Sequence, residues 1–155
     1  MKLILVLFTA MSFLALVPIA QAAGASDTPV SRKPKNPNYV AGEKAIKAKE
    51  WQKAIDELLK AADADPSNAD TQNYLGYAYR NLGQYDTAIK HYKEALSLNP
   101  KHRGALEYMG EAYLKLNDLP AAKKLLASLS DICTFGCEEY DELKEAVEAY
   151  EKAKN

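Results

Sequence analysis

The chain of 155 residues holds only two cysteines, two histidines, one tryptophan and three phenylalanines. Two cysteines are too few for a disulfide-built scaffold. Two histidines, His91 and His102, leave little for a histidine-rich metal site. Neither sign of charge is in excess. Lys and Arg number 20 against 21 Asp and Glu, a formal net charge of −1, so the basic footprint of a nucleic-acid binder is missing. Seven Gly and seven Pro exclude collagen-like and Gly/Pro-rich chains. The sequence has no Gly-rich phosphate loop, no H-E-x-x-H pair and no Ser/His/Asp set within a supporting motif. No catalytic residue, no metal and no cofactor is therefore expected. What remains is an ordinary globular composition, 26% charged and 48% hydrophobic, with ten tyrosines. The length suggests one domain, two at most.

Long apolar sequence occurs once, at the start. Met1 and Lys2 form a short positive region, and Leu3 to Ile19 is apolar apart from Thr9, Ser12 and Pro18. Ala20 and Ala22 then stand at −3 and −1 of a cleavage site before Ala23. This layout predicts a secretory signal peptide over residues 1–22, with cleavage after Ala25 as the alternative. An uncleaved anchor is the rival reading, but a spanning helix needs ~20 apolar residues and this run is 17 long with a proline near its end. No cysteine follows it, so a bacterial lipoprotein anchor is excluded. No later run is apolar enough to span a bilayer, and no stable membrane insertion is expected after cleavage. Residues 23–36 are rich in Ser, Pro, Lys and Ala, with Val30 their one large apolar side chain. They bury too little to offset their ordering entropy and read as a flexible linker. Its Arg32, Lys33 and Lys35 are read as solubilising rather than lipid-binding.

The rest of the sequence repeats every 34 residues. Gly42, Gly76 and Gly110 share that spacing, as do Ala54, Ala88 and Ala122. Trp51, Tyr85 and Leu119 keep it, as do Leu58, Tyr92 and Leu126, and Pro66 and Pro100. Within 84–98 the apolar residues recur at three and four, the stripe of a half-buried helix. Gly76 and Ala88 are small where two helices cross at roughly 8–10 Å. Gly83 suits a left-handed helix end, Pro66 and Pro100 stop helices, and Ser67 followed by Asp70 reads as a helix start. Residues 138–153 make one more helix. Its face of Tyr140, Leu143, Val147 and Tyr150 is apolar and the remainder charged, as the cap of a repeat stack requires.

These columns resemble the tetratricopeptide repeat (TPR) family, whose unit is a 34-residue helix–turn–helix. The middle unit fits best, with Leu75, Gly76, Tyr79, Ala88, Tyr92, Ala95 and Pro100. The third has Leu129 and Thr134 where a small residue and a proline are usual. The resemblance implies an all-α, right-handed helix–turn–helix solenoid. It has three repeats (about 35–68, 69–102 and 103–136, together spanning 37–136) and a capping helix over 137–155. It also implies a concave groove lined by the first helix of each pair. On this sequence the groove carries Tyr39 and Glu43, then Asn73, Tyr77 and Arg80, then Glu107 and Glu111. Such a lining suits an extended peptide, and its carboxylates favour a neutral or basic one.

Cys133 and Cys137 flank Thr134, Phe135 and Gly136 between the last repeat and the cap. Three readings stay open for them: a disulfide pinning the cap helix, a redox thiol pair, and a metal site. Export favours the first. The reading as a whole is a non-catalytic scaffold in a bacterial periplasm, or secreted, that holds a protein or peptide segment. The alternatives are a self-associating structural oligomer and a thiol-redox or metal-handling protein.

Overall fold

Four helix starts in this chain are capped by polar side chains. The computed structural model describes residues 35–154. There Asn36 accepts hydrogen bonds from the backbone N–H groups of Asn38 and Tyr39, and Asn68 accepts one from Thr71. His102 Nδ1 does the same for Ala105, and Asp118 for Ala121. Each satisfies a donor that the first helical turn leaves unpaired. Ser67, expected to begin a helix, instead donates to Asp65 at 2.7 Å, and the cap falls one residue later at Asn68. Asn36, expected within the linker, is already part of the first helix start. The expected signal peptide (1–22) and the linker up to residue 34 lie outside the described residues.

Seven helices follow, with no strand among the described residues: α1 (Pro37–Lys47), α2 (Trp51–Ala64), α3 (Ala69–Asn81), α4 (Tyr85–Leu98), α5 (Arg103–Lys115), α6 (Leu119–Ile132) and α7 (Glu138–Lys154). They pack as antiparallel pairs, α1 with α2, α3 with α4, and α5 with α6, and each pair rests on the next. The all-α solenoid of three pairs and a capping helix is thus present. Three left-handed residues close the turns inside the pairs: Lys49 (φ 58°), Gly83 (φ 75°) and Asn117 (φ 61°). They are 34 residues apart, so the repeat extends to backbone conformation as well as side chains. Only the middle one is glycine, the residue with no steric cost there.

The small residues make room for specific neighbours. A Cβ on Gly42 would lie 2.5 Å from Leu58, and one on Gly76 would lie 2.5 Å from the Tyr92 ring. Leu58 and Tyr92 are fully buried as a result. Two apolar clusters result, one across α1–α3 and one across α4–α7, with Tyr79 packed against both. Tyr79 also stacks flat on His91, at 5.2 Å between ring centres. The third pair departs from the pattern. A Cβ on Gly110 would lie 2.6 Å from Leu143 of α7, so α7 lies along α5 and buries Leu143 and Val147 there. Among the described residues no helix is long and apolar enough to cross a membrane.

Candidate functional site

The first helices of the pairs, α1, α3 and α5, lie side by side and form one face of the stack. Residues four apart on a helix point the same way, so Asn73, Tyr77 and Asn81 share a row, as do Tyr74 and Ala78. The tyrosines of these rows meet across helices. Tyr77 is 5.9 Å from the Trp51 ring and 4.9 Å from the Tyr108 ring. The Arg80 guanidinium stands 5.2 Å from both the Tyr77 and the Tyr108 ring centres, within range of attraction by the ring faces. Trp51, Tyr74, Tyr77 and Tyr108 are half-buried. With Ile46 they line a cavity of about 310 Å³ whose rim carries Lys47 and Lys49.

The residues expected on the groove divide into two sets. Tyr77, Arg80, Glu111 and Glu43 keep partial exposure. Arg80 and Glu111 form an ion pair between α3 and α5, and Glu43 is 3.6 Å from Lys35. Arg80 and Glu111 also border a second hollow against α7, with Ala146 and Tyr150. Tyr39, Asn73 and Glu107 are buried instead, at 8%, 7% and 2% exposure. Tyr39 packs on Tyr74 at 5.9 Å inside the N-terminal cluster. Asn73 lies against Gly104 of α5, and its Oδ1 has no hydrogen-bond partner. Glu107 is covered by α7. Burial first, then contact with the Glu142 carboxyl and the charges of Glu111 and Glu139, pushes the Glu107 carboxyl up to about 9. It is therefore protonated at neutral pH, and the negative character expected of this stretch falls to Glu111.

Sequence reading missed Trp51, Tyr74 and Tyr108. Trp51 opens a second helix, which the periodic columns assign to packing. Tyr74 and Tyr108 are 34 residues apart, a signal that was there to be read. Elsewhere, burial lowers the pKa of His91, whose Nδ1 is 2.8 Å from Gln72 Oε1. Cys133 and Cys137 are joined as a disulfide, with Cα atoms 5.6 Å apart. Gly136 supplies the left-handed residue (φ 85°) of that short loop. No group of three or more metal-ligating side chains occurs among the described residues.

Comparison with known proteins agrees with this geometry. Residues 69–102 match the family model of the tetratricopeptide repeat. The mouse (Mus musculus) protein O-mannosyl-transferase TMTC2 is 38% identical over 72 residues, which is 44% of this chain and 9% of that protein. The chain thus spans about a tenth of the length of that relative. Among solved structures, the first TPR of Spaghetti (RPAP3) bound to an HSP90 peptide is 28% identical. It superposes with a TM-score of 0.65, covering 72% of this chain and 89% of its own. PcrH in complex with the chaperone-binding region of PopD shares the fold at 20% identity and a TM-score of 0.68, over 76% of this chain and 91% of its own. The seven-helix array thus has the fold of tetratricopeptide-repeat domains, and residues 69–102 match one such repeat. Domains of this class are characteristically non-catalytic scaffolds, in keeping with a sequence that carries no catalytic constellation.

Proposed function

We propose that this protein is a binding scaffold that holds an extended peptide or protein segment on the face formed by α1, α3 and α5. The observation that carries the reading is the half-buried group of Trp51, Tyr74, Tyr77 and Tyr108 with the Arg80 guanidinium against two of the rings. Aromatic rings with a polar edge give large contact area at little entropic cost, and they hold apolar side chains while their hydroxyls meet a peptide backbone. The likeness to TPR domains solved with a bound peptide or a bound protein region supports the same reading.

The residues assigned to recognition are Tyr77, Arg80 and Glu111, with Trp51, Tyr74 and Tyr108 added and Glu43 at the N-terminal edge. Tyr39, Asn73 and Glu107 are assigned to holding the face in shape. The working location is the periplasm of a bacterium, or the exterior, after removal of residues 1–22. That assignment rests on the sequence pattern of the first 25 residues alone.

A photo-crosslinking amino acid in place of Tyr77, in the native host, tests the binding role. The control is the same probe at Lys93, which is exposed on the second helix of the middle pair. A protein captured from Tyr77 and not from Lys93 is the expected outcome. Equal capture from both positions would count against a groove. The N-terminus of the protein in the fractionated envelope tests the location. Ala23 in the soluble periplasmic fraction is expected, and an intact Met1 in the membrane fraction contradicts it.

A further inference from the structure

The groove and the disulfide loop have complementary chemistry. Phe135, at the tip of the loop closed by Cys133 and Cys137, is fully exposed. It touches neither apolar cluster. A bare phenylalanine on a covalently closed five-residue loop loses little further freedom on docking. Its surroundings are acidic, with Asp131, Glu138, Glu139 and Asp141 within a few residues in sequence. Of these, Glu139 is engaged by Arg103 at 3.4 Å. The cavity of Ile46, Trp51, Tyr74, Tyr77 and Tyr108 has the opposite character. It is aromatic, about 310 Å³ in volume, and rimmed by Lys47 and Lys49, both exposed and in no ion pair among the described residues. A cavity of roughly 150 Å³ accommodates a benzene ring, so this one has room for a phenylalanine side chain.

The two features cannot meet within one molecule. Successive helices run antiparallel, so the turns inside the pairs, at 48–50, 82–84 and 116–118, line one edge of the stack. The connections between pairs, at 65–68, 99–102 and 133–137, line the other. The cavity opens at the first edge near the N-terminal pair, and Phe135 stands on the second edge at the C-terminal end.

We infer that the cavity receives the Cys133–Cys137 loop of a second copy of this chain, with Phe135 seated among Trp51, Tyr77 and Tyr108 and the acidic flank of the loop facing Lys47 and Lys49. The contact joins unlike surfaces, so it leaves a free loop at one end and a free cavity at the other. It grows by addition of further copies rather than stopping at a symmetric pair. This rests on the reading of the α1–α3–α5 face as a binding groove and names its partner.

The test is sedimentation of the purified protein over a concentration series. The weight-average mass is expected to rise with concentration, less steeply as salt is raised from about 50 to about 500 mM, because the charged rim is screened. Phe135→Ser and the double variant Lys47→Glu/Lys49→Glu alter exposed positions, and circular dichroism checks that each is folded. Each alone is expected to remain a monomer. An equal mixture of the two is expected to form dimers and nothing larger, since one supplies only a loop-competent copy and the other only a cavity-competent one. A wild-type monomer at every concentration overturns the inference, as does association that Phe135→Ser leaves unchanged. The Tyr77 crosslink separates the two readings. A foreign protein captured by a monomeric chain leaves the groove standing and removes self-docking, whereas no capture at all removes both.

Discussion

At the scale of single residues, the chain is governed by what fits against a missing side chain. Gly76 is required because Tyr92 fills the space its Cβ would take. Gly76→Leu is expected to cost at least the ~1–3 kcal/mol of an overpacked core, seen as a fall in melting temperature. An unchanged value would mean that the two helices do not cross there. Tyr92 carries the opposite liability, because its buried hydroxyl makes no well-formed hydrogen bond, although the Arg80 guanidinium lies close to it. Tyr92→Phe removes the cost of that orphan while keeping the ring, and thermal melting should show stability unchanged or raised by about 1 kcal/mol. Glu107 gives a pH signature. The folded protein keeps a proton on this carboxyl between its ordinary 4.5 and about 9, where the unfolded chain has released it. Its contribution is therefore whole below pH 4.5 and is lost as pH rises through that window, by up to about 1.4 kcal/mol per pH unit. Glu107→Gln should flatten this decline and be the more stable protein at pH 8, measured by urea unfolding at several pH values. The periodic columns announced Gly76 and Tyr92. They could not announce Glu107, because its burial is caused by a helix that lies outside the repeat.

At the scale of elements, the turns repeat as faithfully as the core, whereas the caps do not: Asp118 caps α6, but Glu50 and Gln84 at the equivalent positions make no side-chain cap. Lys49, Gly83 and Asn117 adopt the same left-handed conformation at the same place in successive units. Gly83 was legible as a helix end. Lys49 was not, because nothing in lysine advertises a positive φ and the tertiary frame imposes it. Lys49→Gly should relieve that strain and raise stability by about 1 kcal/mol, and denaturant unfolding would show whether the midpoint moves up. The cap of α3 is a lesson in the same sense. Ser67 and Asn68 are both competent caps, and Asp65 decides between them by engaging the Ser67 hydroxyl. The seventh helix was readable from its apolar stripe. Its seat was not. The stripe says that Leu143 and Val147 must be covered, and Gly110 determines that α5 covers Leu143.

At the scale of the whole molecule, the cap helix and the disulfide set the shape of the C-terminal end. Replacing Cys133 and Cys137 with Ser opens a loop of five residues, for which chain entropy accounts for about 2 kcal/mol at most. A modest drop in melting temperature is expected, together with weaker Tyr77 crosslinking between copies, because the opened loop no longer holds Phe135 ready to dock. Loss of crosslinking in a folded variant would tie the loop to the groove. The sequence by itself determined the helical class, the number of helices, the pairing of neighbours and the short loop between the two cysteines. Those properties follow from periodic spacing and local backbone chemistry, which a linear reading contains. Only the tertiary structure decided which of the groove positions are open. Tyr39, Asn73 and Glu107 share a helix face with Tyr77 and Arg80, yet neighbouring helices cover the first three and leave the others partly exposed. It also decided that Trp51, from a second helix, joins Tyr77 and Tyr108 in one aromatic row. The physical reason is the same in both cases. Exposure and ring contact depend on the distance between helices, and that distance is set by side chains far apart in the chain.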